Sequence, residues 1–192
     1  MKLETIKKLP NILSMARILT VPVILAILML FTGNVACMWV AAFLFVISSS
    51  TDFVDGYIAR KYDAITNFGK FIDPVADKLL AVSVMIWVAY DCGIGWVTLV
   101  AILTTAREFI ISAFRLVAVT VGGKVIAAGW IGKIKTVTQY IALTAYIVKY
   151  CAIPVFANLV FVVFLIISAV LTVWSCADYI WKNRAVLQGE IK

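Results

Sequence analysis

Apolar positions run through this chain in long blocks separated by short polar stretches, at about 12–32, 36–58, 74–91, 95–120, 131–150 and 155–180. Each block comes close to the about 20 residues that a helix needs to cross a hydrocarbon core of roughly 30 Å. The breaks are brief: "TGN", "RKYDAITNFGK", "DCGIG", "TVGGKVIAAGWIGK" and "CAIP". The pattern predicts an all-α polytopic membrane protein with six transmembrane helices. Ahead of the first block, "MKLETIKKL" sets Leu3, Ile6 and Leu9 against Lys2, Lys7 and Lys8, which predicts a short N-terminal interfacial helix. The first apolar run has full span length and no small-residue cleavage site, so the N-terminus is expected to be retained.

Composition strengthens this reading. Hydrophobic residues make up 64% of the chain and charged residues 14%, too apolar for a soluble domain with an ordinary polar surface. Six spans put both termini on one side, and Lys2, Lys7, Lys8, Arg60, Lys61, Lys70, Lys124, Lys133, Lys135, Lys182, Arg184 and Lys192 fall on that side or at its helix ends, against Lys149 at the other. By the positive-inside rule the termini and the two longer loops are cytoplasmic. The net charge of +7 is then explained by topology and anionic headgroups, and no soluble basic surface suggests a nucleic-acid partner. Cys37, Cys92, Cys151 and Cys176 lack paired metal-ligand spacing and read as isolated small apolar residues, with a disulfide near the outer face as the alternative. The chain contains no histidine, so any metal must be held mainly by oxygen, which favours magnesium, manganese or calcium. No internal repeat is visible, and residues 1–192 read as one domain.

Against this background the acids of residues 48–80 stand out. Taken at about 100° per residue, Asp52, Asp55, Gly56, Ala59 and Arg60 share one face of the second helix. Gly69, Asp73 and Asp77 step by four and share a face of the third. An eight-residue connection, 61–68, makes the two helices antiparallel, so both faces reach the same interface. Carboxylates crowded there repel one another unless a cation occupies the site, and two divalent ions about 3.5–4 Å apart would resolve the conflict and suit an in-line phosphoryl displacement. Gly56 and Ala59 clear space beside the acids, and Arg60 offers a fork for phosphate. The plainer reading makes the acids solvated helix ends, with Asp73 capping a helix that opens at Pro74.

The string Asp52-x-x-Asp55-Gly56-x-x-Ala59-Arg60, eight residues, then Gly69-x-x-x-Asp73-x-x-x-Asp77 resembles the signature of the CDP-alcohol phosphotransferases. The resemblance implies a six-helix membrane enzyme, usually a homodimer, that moves a phosphatidyl or phospho-alcohol group from a CDP-linked donor to an alcohol and releases CMP. Matched by position, it implies that Asp52, Asp55, Asp73 and Asp77 hold two ions, Mg2+ or Mn2+, and that Asp77 is the general base. Gly56, Ala59, Arg60, Thr66 and Gly69 would lie toward the CDP donor.

The remaining cations bear on the acceptor. Arg107 and Arg115, in "TTAREFIISAFRL", lie eight residues apart in the predicted fourth helix, and Lys133 and Lys135 open the fifth. An arginine deep in a membrane span is a functional signal by default, and these four are expected to form a pocket for a phosphate carried by the acceptor; cytoplasmic snorkelling is the alternative. Glu108 adjoins Arg107, but adjacent residues do not face each other on a helix, so its partner stays unassigned. "NILSMARILTVP", "TAREF" and "GKIKT" look like the bacterial phosphatidylglycerophosphate synthase branch, which implies CDP-diacylglycerol and sn-glycerol 3-phosphate as substrates. Two other readings stay open: a related enzyme of the phosphatidylinositol phosphate synthase or cardiolipin synthase type, and a small cation transporter using the acids as its ion site.

Overall fold

A computed structural model describes the backbone of residues 3–61, 67–122, 129–151 and 154–182, and the side chains of residues 12, 14–51, 75–76, 78–114, 129–151 and 154–182. Six helices occupy the predicted blocks: α1 (Leu3–Leu30), α2 (Val35–Lys61), α3 (Asn67–Cys92), α4 (Gly95–Gly122), α5 (Trp130–Val148) and α6 (Pro154–Lys182). Among the described residues there is no strand. Their ends have local causes. Asn34 Oδ1 accepts from the backbone N–H of Ala36 at 3.0 Å and Cys37 at 3.2 Å, capping the start of α2. Gly93 closes α3 at φ 63°, a left-handed conformation that glycine takes without a Cβ penalty. Pro154 opens α6, where its missing N–H costs nothing.

One expectation needs correction. The short N-terminal helix is no separate element, because α1 runs unbroken from Leu3 through Pro10 into the first apolar block. A proline fixes φ near the helical value and removes one hydrogen bond, and the turns on either side of Pro10 keep their own.

Each helix buries a stripe at steps of three and four. On α1 the stripe is Ser14, Arg17, Val21, Ile24 and Leu28; on α6 it is Ala157, Phe161, Leu165, Ser168, Thr172, Ser175 and Tyr179. The most extensive packing joins α5 to α6 and α1 to α3 and α2, with α4 leaning on α3 and α6. Ile24, Leu28, Met38, Phe45, Leu80, Met85, Leu143, Tyr146, Ile147, Phe161 and Leu165 are fully enclosed at the centre. There the Tyr146 and Phe161 rings meet at 4.6 Å between centroids. Ile111, Phe114 and Tyr179 form a smaller core between α4 and α6.

The outward faces are also apolar: Leu19 and Met29 on α1, Phe43 on α2, Ile86 on α3, Ile102 and Phe109 on α4, Ile134 on α5, Phe156 and Trp174 on α6 are all exposed. Continuous apolar surface of this kind is costly in water and marks contact with lipid or protein. Among the described residues, Gly95–Phe114 and Pro154–Lys182 are long and apolar enough to cross a membrane, and Ser14–Leu30 and Val35–Thr51 are shorter apolar stretches. Cys37, Cys92, Cys151 and Cys176 are free thiols.

Short connections alternate the helix directions, so the bundle has two ends. One gathers the end of α3, the end of α5 and the turn after it into a polar clasp. Asp91 Oδ2 accepts from Tyr146 Oη at 2.7 Å and from Tyr150 Oη. Lys149 Nζ lies 3.9 Å from the same oxygen and 3.5 Å from the Tyr146 ring centroid. The other end gathers the ends of α2, α4 and α6 with the starts of α1, α3 and α5.

Candidate active site

The second end carries the backbone of both halves of the acidic motif. The last three turns of α2 bear Asp52, Asp55, Gly56, Ala59 and Arg60, and the first three turns of α3 bear Gly69, Asp73 and Asp77. The helices extend further toward each other than the motif alone implies, leaving residues 62–66 between them. The side chains of these residues lie outside the described part of the chain, as does that of Arg115, and Thr66 lies outside it entirely.

The described neighbours on either side show how firmly the two helices are held. Thr51, one residue before Asp52, accepts from Arg17 Nη2 at 3.2 Å and donates to the Ser48 carbonyl at 2.8 Å. This ties α2 to a buried arginine of α1. Lys78, one residue after Asp77, donates to Ser112 Oγ, which donates to the Glu108 carbonyl at 2.6 Å. The start of α3 is thereby registered against the middle of α4.

Glu108 is the centre of a charged cluster joining three helices. Its Oε1 accepts from Arg107 Nη1 at 2.8 Å and from Lys135 Nζ, on α5, at 2.9 Å. Arg107 Nη2 donates to Ser175 Oγ, on α6, at 3.2 Å. Lys135 is 1% exposed, and Arg107 is largely buried. Burying such charges is costly unless they are paired, and one carboxylate oxygen supplies both partners. Gly132 makes the packing feasible, since a Cβ there would stand 3.0 Å from Arg107 Nη2. Arg107 Nε is buried and has no hydrogen-bond partner among the described residues. Beside the cluster, Lys78, Thr104, Glu108, Lys135, Thr136 and Gln139 line a cavity of about 20 Å³, room for one water molecule.

A helical bundle with an acid motif on two adjacent helices and a buried cation pair at the same end agrees with one family model, that of the CDP-alcohol phosphatidyltransferases, over residues 7–174. The chain belongs to this family. It is 35% identical over 186 residues to the CDP-diacylglycerol–glycerol-3-phosphate 3-phosphatidyltransferase of Escherichia coli K12, covering 93% of this chain and 96% of that protein. Proteins of the same description from Shigella sonnei and Shigella boydii serotype 4 match with the same identity and coverage.

In this CDP-alcohol phosphatidyltransferase the expected acceptor cations divide. Arg107 and Lys135 come together through Glu108. Lys133 is exposed on α5, with Nζ 4.8 Å from the Trp130 ring centroid. Sequence reasoning left Glu108 without a partner because neighbouring helix positions diverge; the long Arg107 side chain curls back to reach it. Ser112, Gly132 and Ser175 were also passed over. Gly132 carried a usable signal, a glycine one helical turn before the expected binding Lys135, whereas Ser175 sits in an apolar run with none.

Proposed function

We propose that the chain transfers the phosphatidyl group of CDP-diacylglycerol to sn-glycerol 3-phosphate, giving phosphatidylglycerophosphate and CMP. The observation that carries the choice of acceptor is the buried Arg107–Lys135 pair at the motif end of the bundle. Cations held that deeply suit a ligand with a second phosphate, and the relatives named above act on such an acceptor.

The donor set fits a metal site: four aspartates on the facing ends of consecutive helices, in a chain without histidine. Asp52, Asp55, Asp73 and Asp77 would hold two divalent ions, Mg2+ or Mn2+, which when bound neutralise charge on the pyrophosphate. Gly56, Ala59 and Gly69 leave room for the CDP portion, toward which Arg60 and Thr66 also lie. Arg107, Arg115, Lys133 and Lys135 draw the phosphate of glycerol 3-phosphate into place. Asp77 takes the proton of the attacking hydroxyl. A new P–O bond then forms at the β-phosphorus as the bond to the CMP oxygen breaks. CMP departs with the electron pair.

The same reading places all six helices across a bacterial cell membrane, with both termini and the site on the cytoplasmic side, and the chain working as a homodimer. Apolar outward faces on every helix support the first part. An acceptor panel tests the function: purified protein, CDP-diacylglycerol and magnesium or manganese, with glycerol 3-phosphate, inositol 1-phosphate or phosphatidylglycerol. CMP should appear with glycerol 3-phosphate. Release only with one of the other two would reassign the chain within its family, and ion flux in liposomes without CMP release would move it to a transporter.

A further inference from the structure

We infer that Glu108 is a positioning residue for the acceptor: its Oε1 fixes the spacing of Arg107 and Lys135 and so presets the pair that receives the acceptor's phosphate. The inference rests on the proposal above that these two cations bind a phosphorylated alcohol. Three features of the geometry carry it.

First, one oxygen serves both cations. Arg107 Nη1 at 2.8 Å and Lys135 Nζ at 2.9 Å converge on Oε1, so a single atom links a cation of α4 to one of α5. Lysine and arginine side chains lose rotamer freedom when immobilised. A pair already fixed spares the ligand that cost, which is the general benefit of preorganisation.

Second, the backbone that carries this side chain is tied to α3. The Glu108 carbonyl accepts from Ser112 Oγ, which accepts from Lys78, and Lys78 follows Asp77 directly in α3. The spacing of the cations is thus referred to the helix that bears the proposed base. Third, Arg107 retains an unused donor. With Nη1 on Glu108 and Nη2 on Ser175, its buried Nε has no partner among the described residues, and a buried donor left without an acceptor is unfavourable until an oxygen arrives. Glu108 therefore holds the guanidinium without exhausting it.

Two substitutions separate position from charge. Glu108→Gln keeps the length and an accepting oxygen but loses the charge; Glu108→Asp keeps the charge but falls one methylene short of Lys135. Positioning predicts that Glu108→Gln raises the KM for glycerol 3-phosphate no more than about 3-fold while Glu108→Asp raises it about 10-fold. The KM for CDP-diacylglycerol should stay within about 2-fold for both. The opposite order, equal effects of the two variants, equal effects on both substrates, or no effect would each overturn the inference. Arg107→Ala, assayed beside them, keeps the two proposals apart. If it raises the KM for glycerol 3-phosphate while both Glu108 variants behave as wild type, the positioning role fails and the acceptor reading stands. If Arg107→Ala leaves that KM unchanged, the acceptor reading itself fails.

Discussion

Replacing Gly132 with alanine adds one methyl group to the first turn of α5 and tests whether the place of the Arg107 guanidinium matters. The new Cβ would stand 3.0 Å from Nη2, whereas relaxed contacts between such atoms lie at about 3.5–4.0 Å. The guanidinium must withdraw by about 0.5 Å. It has little slack, because Nη2 is already 3.2 Å from Ser175 Oγ and Nη1 is 2.8 Å from Glu108 Oε1. A withdrawal of about 0.5 Å takes one of these bonds beyond useful range. A hydrogen bond to a charged group contributes about 1.5–3 kcal/mol, and exchanging glycine for alanine in a helix returns about 0.5–1 kcal/mol. The net local loss is about 1–2 kcal/mol, or about 5- to 30-fold in an equilibrium. CMP release, with glycerol 3-phosphate titrated at saturating CDP-diacylglycerol, should show a KM for the acceptor raised about 10-fold. Thermal unfolding in the same detergent should move by no more than about 8 °C. A higher unfolding midpoint with an unchanged acceptor KM would show that the guanidinium tolerates displacement, and the argument from its position would fail.

Three further outcomes are expected. Asp91→Asn removes the charge shared by Tyr146, Tyr150 and Lys149 and should cost about 2 kcal/mol of stability, read as a lower unfolding midpoint with both KM values unchanged; a kinetic effect without a stability effect would contradict a purely structural clasp. Arg107→Lys keeps the charge but not the fork that spans Glu108 and Ser175, so acceptor kcat/KM should fall about 10-fold or more, and wild-type kinetics would show that a point charge suffices. Chelation should abolish CMP release and magnesium or manganese restore it, while Asp77→Asn should lower kcat by about 10²- to 10⁴-fold with the metal present; full activity in chelator would remove the metal from the mechanism.

The six helices were legible because a long apolar block advertises a helix, and every predicted block holds one. Boundaries were less legible where polar residues continue a helix: α2 runs on through "YIARK" and α3 opens at Asn67 because backbone hydrogen bonding, once begun, extends past the apolar block. The continuity of α1 was hidden because its lysine-bearing first turns precede the apolar block, whereas the backbone runs on through Pro10. At the site, residue types and helix faces could be read from spacing, but pairings could not. Glu108 with Lys135 joins residues 27 apart, and Arg107 with Ser175 joins residues 68 apart; such pairs depend on which helices become neighbours. The same holds for Asp91 with Tyr146 at the far end.

The distribution of polar groups explains why the two ends respond differently to substitution. Where the surroundings of a bundle are as apolar as its core, burial of apolar surface drives helix association weakly, and interhelical hydrogen bonds and close packing carry more of the burden. Here the outward faces are apolar, while Thr104, Lys135, Thr138, Gln139, Ser168, Thr172 and Ser175 point inward along α4, α5 and α6. Among the described residues, Arg107 and Lys135 take part in bonds that fasten α4 to α6 and α5. On the proposed reading, cohesion and substrate binding at that end use the same atoms, so a change that frees the cations also loosens the bundle. At the other end Asp91, Tyr146 and Tyr150 join α3 to α5 without any residue of the motif. Cohesion there is separable from chemistry, and Asp91 variants therefore measure what the polar contacts contribute to the fold alone, the reference against which the effects of Glu108 and Arg107 substitutions are to be judged.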